Sequence, residues 1–360
     1  MDSEKILRVG VVGCGRVAET RHLPVLTELA RVEVIAVADQ DAARRDRVAA
    51  KFGIPHKFAG HDALIEWGQI DVVGVCVPAL AHAEVAIAAL EAGKHVLIEK
   101  PLAPSLTACD AILASAGNSS AQATTGFNLR WHRLVRAARD SIRQGKTGPI
   151  EMVRTVHASF HSDLPAWRRQ RSTGGGVLFE QAVHHIDLWR FLLDTEVEEV
   201  FASTRSNGWE DASAVLLARL RNGVMVTSSI SERCGPANEI EIYGALGRLS
   251  VSCYQFDGLR FEAALAVPGS PGERLRGAVE SLRALPAIRQ GSVYQGSFRG
   301  QWEHFLNAIR SGRAPETTLE DGRKAVQVVL AAAHSASTGR PVRVADAPEE
   351  VTAAGQTEPA

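Results

Sequence analysis

Three ionisable side chains, Glu180, His184 and Asp187, are spaced four and three residues apart in a stretch that predicts a helix over Val177–Leu193. At positions i, i+4 and i+7 they share one helix face. Histidine exchanges a proton near neutral pH, and a carboxylate one turn away can orient its ring and favour the imidazolium. His184 is therefore a candidate general base assisted by Glu180. His185 points about 100° away and is expected to be structural.

A single lysine, Lys100, follows a short apolar strand and lies between Glu99 and Pro101. Ligands of open parallel sheets bind beyond the carboxyl ends of the strands. A lysine placed there beside a dinucleotide can hydrogen-bond a reacting oxygen and stabilise its charge. Because Pro101 fixes its own φ and restricts the preceding residue, Lys100 is predicted to be held in one direction and to be catalytic.

A glycine-rich turn, G-x-G-x-x-A over residues 13–18, follows a predicted strand and opens a predicted helix. Gly13 permits the tight turn, Gly15 lets the backbone approach a pyrophosphate, and Ala18 allows the helix to pack closely on the strand. The helix N-terminus then faces the phosphate charge. This pattern predicts a dinucleotide site.

An acidic residue, Asp39, ends the second predicted strand, 24 residues after Gly15, where a carboxylate binds the adenosine ribose hydroxyls. Because that carboxylate repels a 2′-phosphate, NAD(H) is predicted over NADP(H). Arg44 and Arg45 follow within the next helix, so tolerance of NADP(H) stays open.

Apolar runs alternate with amphipathic stretches through the first third of the chain, which is the pattern of a parallel sheet flanked by helices. The predicted strands are Ile6–Val12, Val32–Ala38, Asp71–Val77 and His95–Ile98. The predicted helices are Arg16–Ala30, Asp41–Phe52 and Ala81–Ala92, the last two ending at Gly53 and Gly93 as left-handed C-terminal residues. A Rossmann domain over residues 1–128 is expected.

Longer alternating strands follow from Ile150 and predict a mostly antiparallel sheet, with Asn222-Gly223 as a hairpin turn. These strands are Ile150–His161, Val197–Thr204, Ala212–Leu220, Gly223–Ser231 and Glu239–Tyr243. Helices are predicted over His132–Gln144, Gln301–Ser311 and Leu319–Ser337, the last opening with a capping box of Thr318 and Asp321. We therefore assign residues 129–345 to a second, α+β domain for substrate binding and oligomerisation. It carries a loop-rich insertion over about 268–300, with a helix near Arg274–Leu285, and a disordered tail over 346–360.

Composition excludes several classes of protein. The chain has 360 residues, 45% of them apolar, and a formal net charge of −1, so neither disorder nor binding to nucleic acid or an anionic membrane is indicated. No apolar run approaches the ~20 residues of a membrane span, and no signal peptide is predicted. Five scattered cysteines fit reduced thiols in a cytoplasm. No metal site is predicted, since neighbouring helix positions such as His184 and His185 do not converge.

Several motifs together resemble the glucose–fructose oxidoreductase/inositol dehydrogenase (Gfo/Idh/MocA) family. They are Pro78-x-x-x-His82, the run Glu91–Ala103 containing Glu99-Lys100-Pro101, Gly126-Phe127-Asn128, Gly174–Leu178, and His184-x-x-Asp187. The resemblance implies an NAD(P)-dependent oxidoreductase acting on sugars or cyclitols, with a Rossmann domain followed by a domain on a large open sheet. It covers nearly the whole chain, apart from the insertion and the tail.

The site residues expected from position and resemblance fall into three groups. The catalytic residues are Lys100, His184 and Glu180. The cofactor contacts are Gly13, Gly15, Arg16, Val17, Ala18, Asp39, Pro78, His82, Glu99 and Lys100. The substrate contacts are Asn128, Arg130, Trp167, Arg168 and Asp187. The chain departs from the family at Glu180, where the family has Asp, and at Ala182, where it has Gly.

The leading functional hypothesis is hydride transfer between the nicotinamide and a carbinol carbon of a sugar, cyclitol or related polyol, with Lys100 and His184 acting on the same hydroxyl. An NAD-dependent glycoside hydrolase using transient oxidation, or a non-catalytic dinucleotide sensor, are the alternatives. Apolar residues on both faces of Ala212–Leu220 predict a homodimer or homotetramer through the second sheet.

Overall fold

The computed structural model describes residues 5–266 and 293–351, together with the single positions 272, 275, 279 and 282. The chain divides into two compact units. The first comprises Met1–Asn128 and Phe298–Val326, and the second comprises Leu129–Ser297 and Gln327–Ala360. The domain assignment from the sequence placed all of residues 129–345 together, whereas this division groups Phe298–Val326 with the first unit.

The first unit is built on a six-stranded parallel sheet with strand order β3-β2-β1-β4-β5-β6. Its strands are β1 (Leu7–Val12), β2 (Val32–Ala38), β3 (His56–Phe58), β4 (Val72–Val75), β5 (His95–Glu99) and β6 (Ala123–Gly126). The central strands are buried on both faces, which explains their near-continuous apolar runs. The predicted parallel Rossmann sheet is confirmed.

Helices connect these strands: α1 (Leu23–Leu26), α2 (Ala42–Phe52), α3 (His61–Glu66), α4 (His82–Glu91) and α5 (Leu106–Gly117). Gly53 and Gly93 have φ of 67° and 69°, as predicted for left-handed residues after a helix. The predicted helix Arg16–Ala30 is wrong in form, since a π-helical turn over Ala18–His22 leads into the four-residue α1. Pro24 has no N–H for the helical ladder, and the Thr27 hydroxyl bonds the Leu23 carbonyl where the helix ends.

A late segment completes the first unit. It includes most of α8 (Val293–Ser311) and the start of α9 (Leu319–Thr338). Trp302 is fully buried, and its ring lies 3.4 Å from where a Cβ on Gly74 of β4 would stand. The Thr124 and Thr125 hydroxyls on β6 donate to the carbonyls of residues 317 and 318. These contacts explain why this stretch packs with the Rossmann sheet.

The second unit contains an eight-stranded sheet with strand order β13-β12-β11-β7-β10-β9-β8-β14. Its strands are β7 (Ile150–Phe160), β8 (Val197–Arg205), β9 (Ser213–Leu220), β10 (Met225–Ser231), β11 (Arg233–Gly244), β12 (Gly247–Ser252), β13 (Leu259–Ala263) and β14 (Val342–Arg343). Among the described strands of this sheet only the β7–β10 pair is parallel, so the mostly antiparallel sheet is confirmed. The predicted hairpin at Asn222-Gly223 joins β9 to β10, with Gly223 at φ 88°.

The two faces of this sheet differ in exposure. Leu216 and Ala218 on β9 are buried, whereas Val215 and Leu217, which alternate with them, are 53% and 54% exposed. Met152 on β7 and Met225 on β10 are directly paired and are also exposed. One face therefore packs in the core of the unit, and the other presents apolar side chains.

Two helices of the second unit lie near its candidate site residues: α6 (Arg133–Arg143) and α7 (Val183–Leu193). The capping box at the start of α9 is confirmed, since the Asp321 backbone N–H donates to Thr318 Oγ1 at 3.0 Å. The insertion expected over about 268–300 is shorter at its end, because α8 begins at Val293. The helix expected near Arg274–Leu285 falls outside the described residues except at Leu275, Val279 and Leu282, and the expected tail does so from residue 352.

Candidate active site

The glycine-rich turn after β1 has the geometry that a dinucleotide phosphate requires. Gly13 has φ 93°, and a Cβ there would lie 2.4 Å from the Cys76 carbonyl oxygen, so only glycine fits. A Cβ on Gly15 would meet nothing within 4 Å, which leaves the backbone open to an approaching ligand. Arg16 is exposed, Val17 is half-buried, and Ala18 is fully buried. The backbone shape of this turn therefore fits a pyrophosphate.

Asp39 follows β2 and closes the same turn. Its Oδ2 accepts a hydrogen bond from the Cys14 backbone N–H at 2.8 Å, and its Oδ1 accepts one from the Asp41 N–H at 2.8 Å. An Arg44 guanidinium nitrogen lies 3.5 Å from Oδ2, and Arg45 donates to the Asp39 carbonyl. Both arginines that left NADP(H) tolerance open thus reach back to Asp39.

The Asp39→Ala variant is expected to bind NADP(H) more tightly relative to NAD(H), by roughly tenfold, because the carboxylate that repels a 2′-phosphate is gone and Arg44 remains. Titration of both reduced cofactors by fluorescence, with circular dichroism as a check of folding, measures this. Asp62→Ala, which removes an exposed carboxylate on α3, serves as the matched control. Tighter binding of NADP(H) than NAD(H) by the unmodified protein would contradict the expectation.

The Lys100 turn leaves the carboxyl end of β5. Glu99 is buried, and its Oε2 accepts a hydrogen bond from the Lys100 backbone N–H at 3.1 Å. The Lys100–Pro101 peptide bond is cis. His82 is buried, with Nδ1 2.8 Å from the Pro101 carbonyl oxygen and Nε2 2.9 Å from the Val77 carbonyl oxygen. His82, predicted to contact the cofactor, therefore braces the backbone around Lys100, and its burial lowers its pKa.

Pro78 and Asn128, also predicted site residues, lie in the first unit. Pro78 is exposed and precedes a 3₁₀ turn over Ala79–Ala81. Asn128 is buried at the start of a 3₁₀ turn over Asn128–Trp131, just after β6. Both follow carboxyl ends of strands, as their proposed binding roles require.

In the second unit, the predicted continuous helix Val177–Leu193 is wrong over its first part. A π-helical turn over Leu178–Ala182 precedes α7, so Glu180 and His184 do not have the regular α-helical spacing assumed from the sequence. Within a π turn the hydrogen-bonded ring holds one more residue, and such turns occur frequently at functional sites. His184 lies in the first turn of α7 and is buried.

Arg168 lies between two carboxylates. Its Nε is 3.3 Å from Glu180 Oε2, and a terminal nitrogen donates to Glu232 Oε1, whose side chain is fully buried. Gly175, in the glycine run, allows this approach, because a Cβ there would lie 2.4 Å from the Arg168 carbonyl oxygen. Arg168 was predicted to bind substrate, and the geometry gives its guanidinium the further role of fixing Glu180.

Arg130 and Asp187, two predicted substrate residues, bind each other. The Arg130 Nε and a terminal nitrogen donate to the two Asp187 oxygens at 2.7 and 2.5 Å, and both side chains are buried. Arg190 also lies 3.6 Å from Asp187. Trp167 is half-buried, and its carbonyl accepts from the Thr173 hydroxyl at 2.6 Å. The Arg130–Asp187 pair therefore fixes α7 to the segment before α6.

A group of histidines surrounds the start of α7, and sequence reasoning missed one of them. The His157 ring on β7 stacks on His185 at 5.0 Å and meets the His184 ring edge-on at 6.1 Å. The His185 Nε2–H donates to Asn238 Oδ1 over 3.1 Å, and burial lowers the pKa of His185 to about 4, as expected for a structural histidine. The sequence feature that could have indicated His157 is the position of a histidine on the buried face of a predicted strand.

Comparison with known proteins agrees with both units. The sequence profile of the oxidoreductase family with an NAD-binding Rossmann fold, GFO/IDH/MocA, matches residues 7–127, and that of the GFO/IDH/MocA C-terminal domain matches residues 135–250. A myo-inositol 2-dehydrogenase of Thermotoga maritima is 26% identical over 347 residues, covering 94% of this chain and 98% of that protein.

Two further relatives are similar over nearly their whole length. A dTDP-3,4-didehydro-2,6-dideoxy-alpha-D-glucose 3-reductase of Actinomadura kijaniata is 32% identical over 331 residues, 90% of this chain and 93% of that protein. The structure of a levoglucosan dehydrogenase in complex with NADH superposes with a TM-score of 0.80 at 25% identity, covering 94% of this chain and 99% of that one.

The chain belongs to the GFO/IDH/MocA family of oxidoreductases. It is an oxidoreductase with an NAD-binding Rossmann domain. The shape of the glycine-rich turn and the position of the Asp39 carboxylate fit that cofactor. Across the part of the chain that the structure describes, no helix combines the length and apolar character that a membrane crossing requires.

Proposed function

We propose that this protein oxidises a carbinol carbon of a neutral sugar, cyclitol or related polyol, or reduces the corresponding carbonyl, with NAD(H). One observation carries the proposal. In the order β1-β4-β5, the glycine-rich turn and the Lys100 turn leave the same edge of one sheet, with only β4 between them. A cation next to the dinucleotide turn is suited to a substrate oxygen whose carbon exchanges hydride with the nicotinamide.

The cofactor supplies the hydride acceptor or donor when bound. In the proposed reaction, Lys100 and His184 act on the same substrate hydroxyl. Lys100 donates a hydrogen bond to the oxygen and stabilises the negative charge that develops on it. His184 accepts the hydroxyl proton during oxidation and returns it during reduction. Glu180, held by Arg168, assists His184 in the first turn of the helix.

A neutral substrate is favoured over a sugar acid by the state of the arginines in the second unit. Arg130 forms its buried bidentate pair with Asp187, and Arg168 lies between Glu180 and Glu232. Arg171 forms a two-point pair with Asp211 at 2.6 Å for each bond. These guanidinium groups are compensated by carboxylates inside the protein, so a substrate carboxylate would gain little from them. The hydroxyl groups of a neutral substrate can still form hydrogen bonds with the edges of these paired guanidinium and carboxylate groups.

The test is stoichiometric formation of NADH from NAD with a panel of inositols, aldoses, polyols and sugar acids at neutral pH. We expect a neutral polyhydroxylated compound to be the best substrate by kcat/KM and NADH to accumulate in step with product. Glycoside cleavage without net NADH would overturn the dehydrogenase assignment in favour of a hydrolase that recycles its cofactor. Cofactor binding without turnover of any compound would indicate a sensor. A sugar acid as the best substrate would contradict only the neutral class.

We further propose that the protein is a cytoplasmic homodimer or homotetramer assembled through the exposed face of the second sheet. The apolar side chains Met152, Val215, Leu217 and Met225 lie there on three neighbouring strands, β7, β10 and β9. Small-angle scattering at micromolar concentration is expected to give at least twice the mass of the chain, and Leu217→Glu is expected to shift it toward the monomer, since a buried unpaired charge weakens an interface. A monomer before substitution would contradict this assembly.

A further inference from the structure

Three buried polar side chains of the first unit form a hydrogen-bond chain that ends at the backbone of Lys100. The Trp302 Nε1–H donates to His22 Nδ1 at 2.9 Å, and His22 Nε2 lies 2.8 Å from Glu99 Oε1. The other carboxylate oxygen, Oε2, accepts from the Lys100 N–H at 3.1 Å. Trp302, His22 and Glu99 are 0%, 0% and 7% exposed, so water does not compete for these bonds.

The direction of every bond in this chain follows from its first member. An indole nitrogen is only a donor, so His22 Nδ1 must present its lone pair to Trp302. The neutral ring then carries its proton on Nε2 and donates it to Glu99. The ionised carboxylate accepts at both oxygens, from His22 and from Lys100. Burial lowers the pKa of His22, but its contacts with the Cys76 thiol and with Glu99 raise it to about 10. The indole N–H that faces Nδ1 at 2.9 Å nevertheless requires a lone pair on that nitrogen, so the geometry fixes the ring in its neutral form.

Burying the Glu99 carboxylate in the core is energetically unfavourable on its own. Moving an ionised carboxyl group out of water costs several kcal/mol, which its hydrogen bonds must offset. The surrounding sheet is also adapted to it, because a Cβ on Gly126 of β6 would lie 3.1 Å from Glu99 Cα and 3.2 Å from Oε1. An apolar side chain at position 99 could pack the strand end equally well, but it could not bond the next backbone N–H.

The backbone of the Lys100 turn is thereby held on both sides. Glu99 fixes the N–H of Lys100, and His82 fixes the carbonyl of Pro101. Displacement of a catalytic group by about 1 Å can lower the rate by roughly 10²-fold. A chain of buried bonds that ends on this one backbone amide is therefore placed to control where the lysine ammonium stands.

We propose that Trp302, His22 and Glu99 are positioning residues for Lys100, and that their shared hydrogen-bond direction sets the geometry of the Lys100 turn. This inference rests on the proposed role of Lys100 in the reaction. It assigns a function to His22 and Trp302, neither of which belongs to the predicted site.

The fixed direction predicts an unusual pattern of loss and recovery. In Glu99→Gln the amide brings a donor, which must face either the His22 Nε2–H or the Lys100 N–H, so kcat should fall by about 10²-fold. Glu99 was predicted to contact the cofactor, but it is 7% exposed and both of its carboxylate oxygens are engaged by His22 and the Lys100 N–H. NADH affinity should therefore stay within about threefold. Trp302→Phe keeps the ring but removes its N–H, which frees His22 to move its proton to Nδ1.

The double variant Trp302→Phe/Glu99→Gln should therefore regain about tenfold of the lost kcat, because His22 Nε2 can now accept from the amide while the amide oxygen accepts from Lys100. Trp302→Phe alone should cost less than about threefold. Trp67→Phe is the matched control, because the Trp67 ring packs on His56 and Phe58 and takes no part in the hydrogen-bond chain. Combined with Glu99→Gln, it should restore none of the lost kcat. Glu99→Asp, which keeps the charge but shortens its reach, should also lower kcat at constant NADH affinity.

Nitrogen-15 NMR of histidine side chains gives a readout that is independent of turnover, with the His22 signals assigned from their absence in His22→Asn. We expect unprotonated Nδ1 in the unmodified protein and protonated Nδ1 in the double variant. Full activity of Glu99→Gln, no recovery in the double variant, or a protonated Nδ1 in the unmodified protein would each overturn the positioning chain. An active enzyme whose Lys100→Met variant is unimpaired would instead remove the proposed role of Lys100, while the NMR result would still establish the direction of the chain.

Discussion

His184→Ala is expected to lose roughly 10²- to 10⁴-fold in kcat while binding NADH with unchanged affinity, because a positioned proton acceptor contributes about that much to rate. The side chain is buried in the first turn of α7, beside the edge of the His157 ring. Removing the imidazole takes away the side chain that the proposal makes the proton acceptor near neutral pH. Steady-state kinetics on the best substrate of the panel, with fluorescence titration of NADH, measure both quantities.

A matched histidine control is available in the same unit. His334 is exposed on α9, and His334→Ala should keep kcat within about twofold, as surface substitutions usually do. Near-normal turnover in His184→Ala across the accessible pH range would refute the assignment of His184 as the general base. In that event Lys100 would be the remaining candidate for the proton transfer.

Lys100→Met should lower kcat by about 10²- to 10³-fold for a different reason, since it removes a charge that stabilises the developing alkoxide. Methionine keeps a flexible chain of similar length, and the backbone bond from Lys100 N–H to Glu99 does not depend on the side chain. KM should change less than kcat if the ammonium acts mainly in the transition state. The measurement is the split between kcat and KM in both reaction directions.

Lys146→Met provides the control for loss of a lysine charge, because Lys146 is exposed in the turn after α6. It should leave both constants unchanged within about twofold. If Lys100→Met and His184→Ala were both fully active, the chemistry would have to lie with other residues, and the proposed site would be abandoned.

The parallel sheet was predictable because its central strands are buried on both faces and so appear as uninterrupted apolar runs. The short edge strand β3, His56–Phe58, carries mostly polar side chains and has no such signature. Strands β12 and β13 were missed as well, although β11 and β12 are joined by a tight turn at Ala245 and Leu246. Neither residue is typical of tight hairpin turns, which pairs such as Asn-Gly indicate in a sequence.

Features of the candidate site formed by residues close in sequence were predictable, whereas those formed by residues distant in sequence were not. The glycine-rich turn and Asp39 were found because their chemistry is written in consecutive elements of one βαβ unit. The pairing of Arg130 with Asp187 joins positions 57 residues apart, so no spacing rule could reveal it. The π turn before α7 was missed because helical periodicity was read at 3.6 residues per turn throughout. The sequence therefore indicated Glu180 as a candidate site residue, but it did not predict the position of Glu180 relative to His184.

The first unit is assembled from two stretches of chain that leave the ribosome far apart in time. Synthesis proceeds from the N-terminus, so every strand of the Rossmann sheet is available before Trp302 has been made. During that interval His22 has no indole to set its proton, and the face of β4 at Gly74 has no ring to cover it. A fragment ending at Asn128 would be in the same condition permanently. The N-terminal half of the enzyme is translated first, but the hydrogen-bond chain to its Lys100 turn can be completed only after α8 has been synthesised.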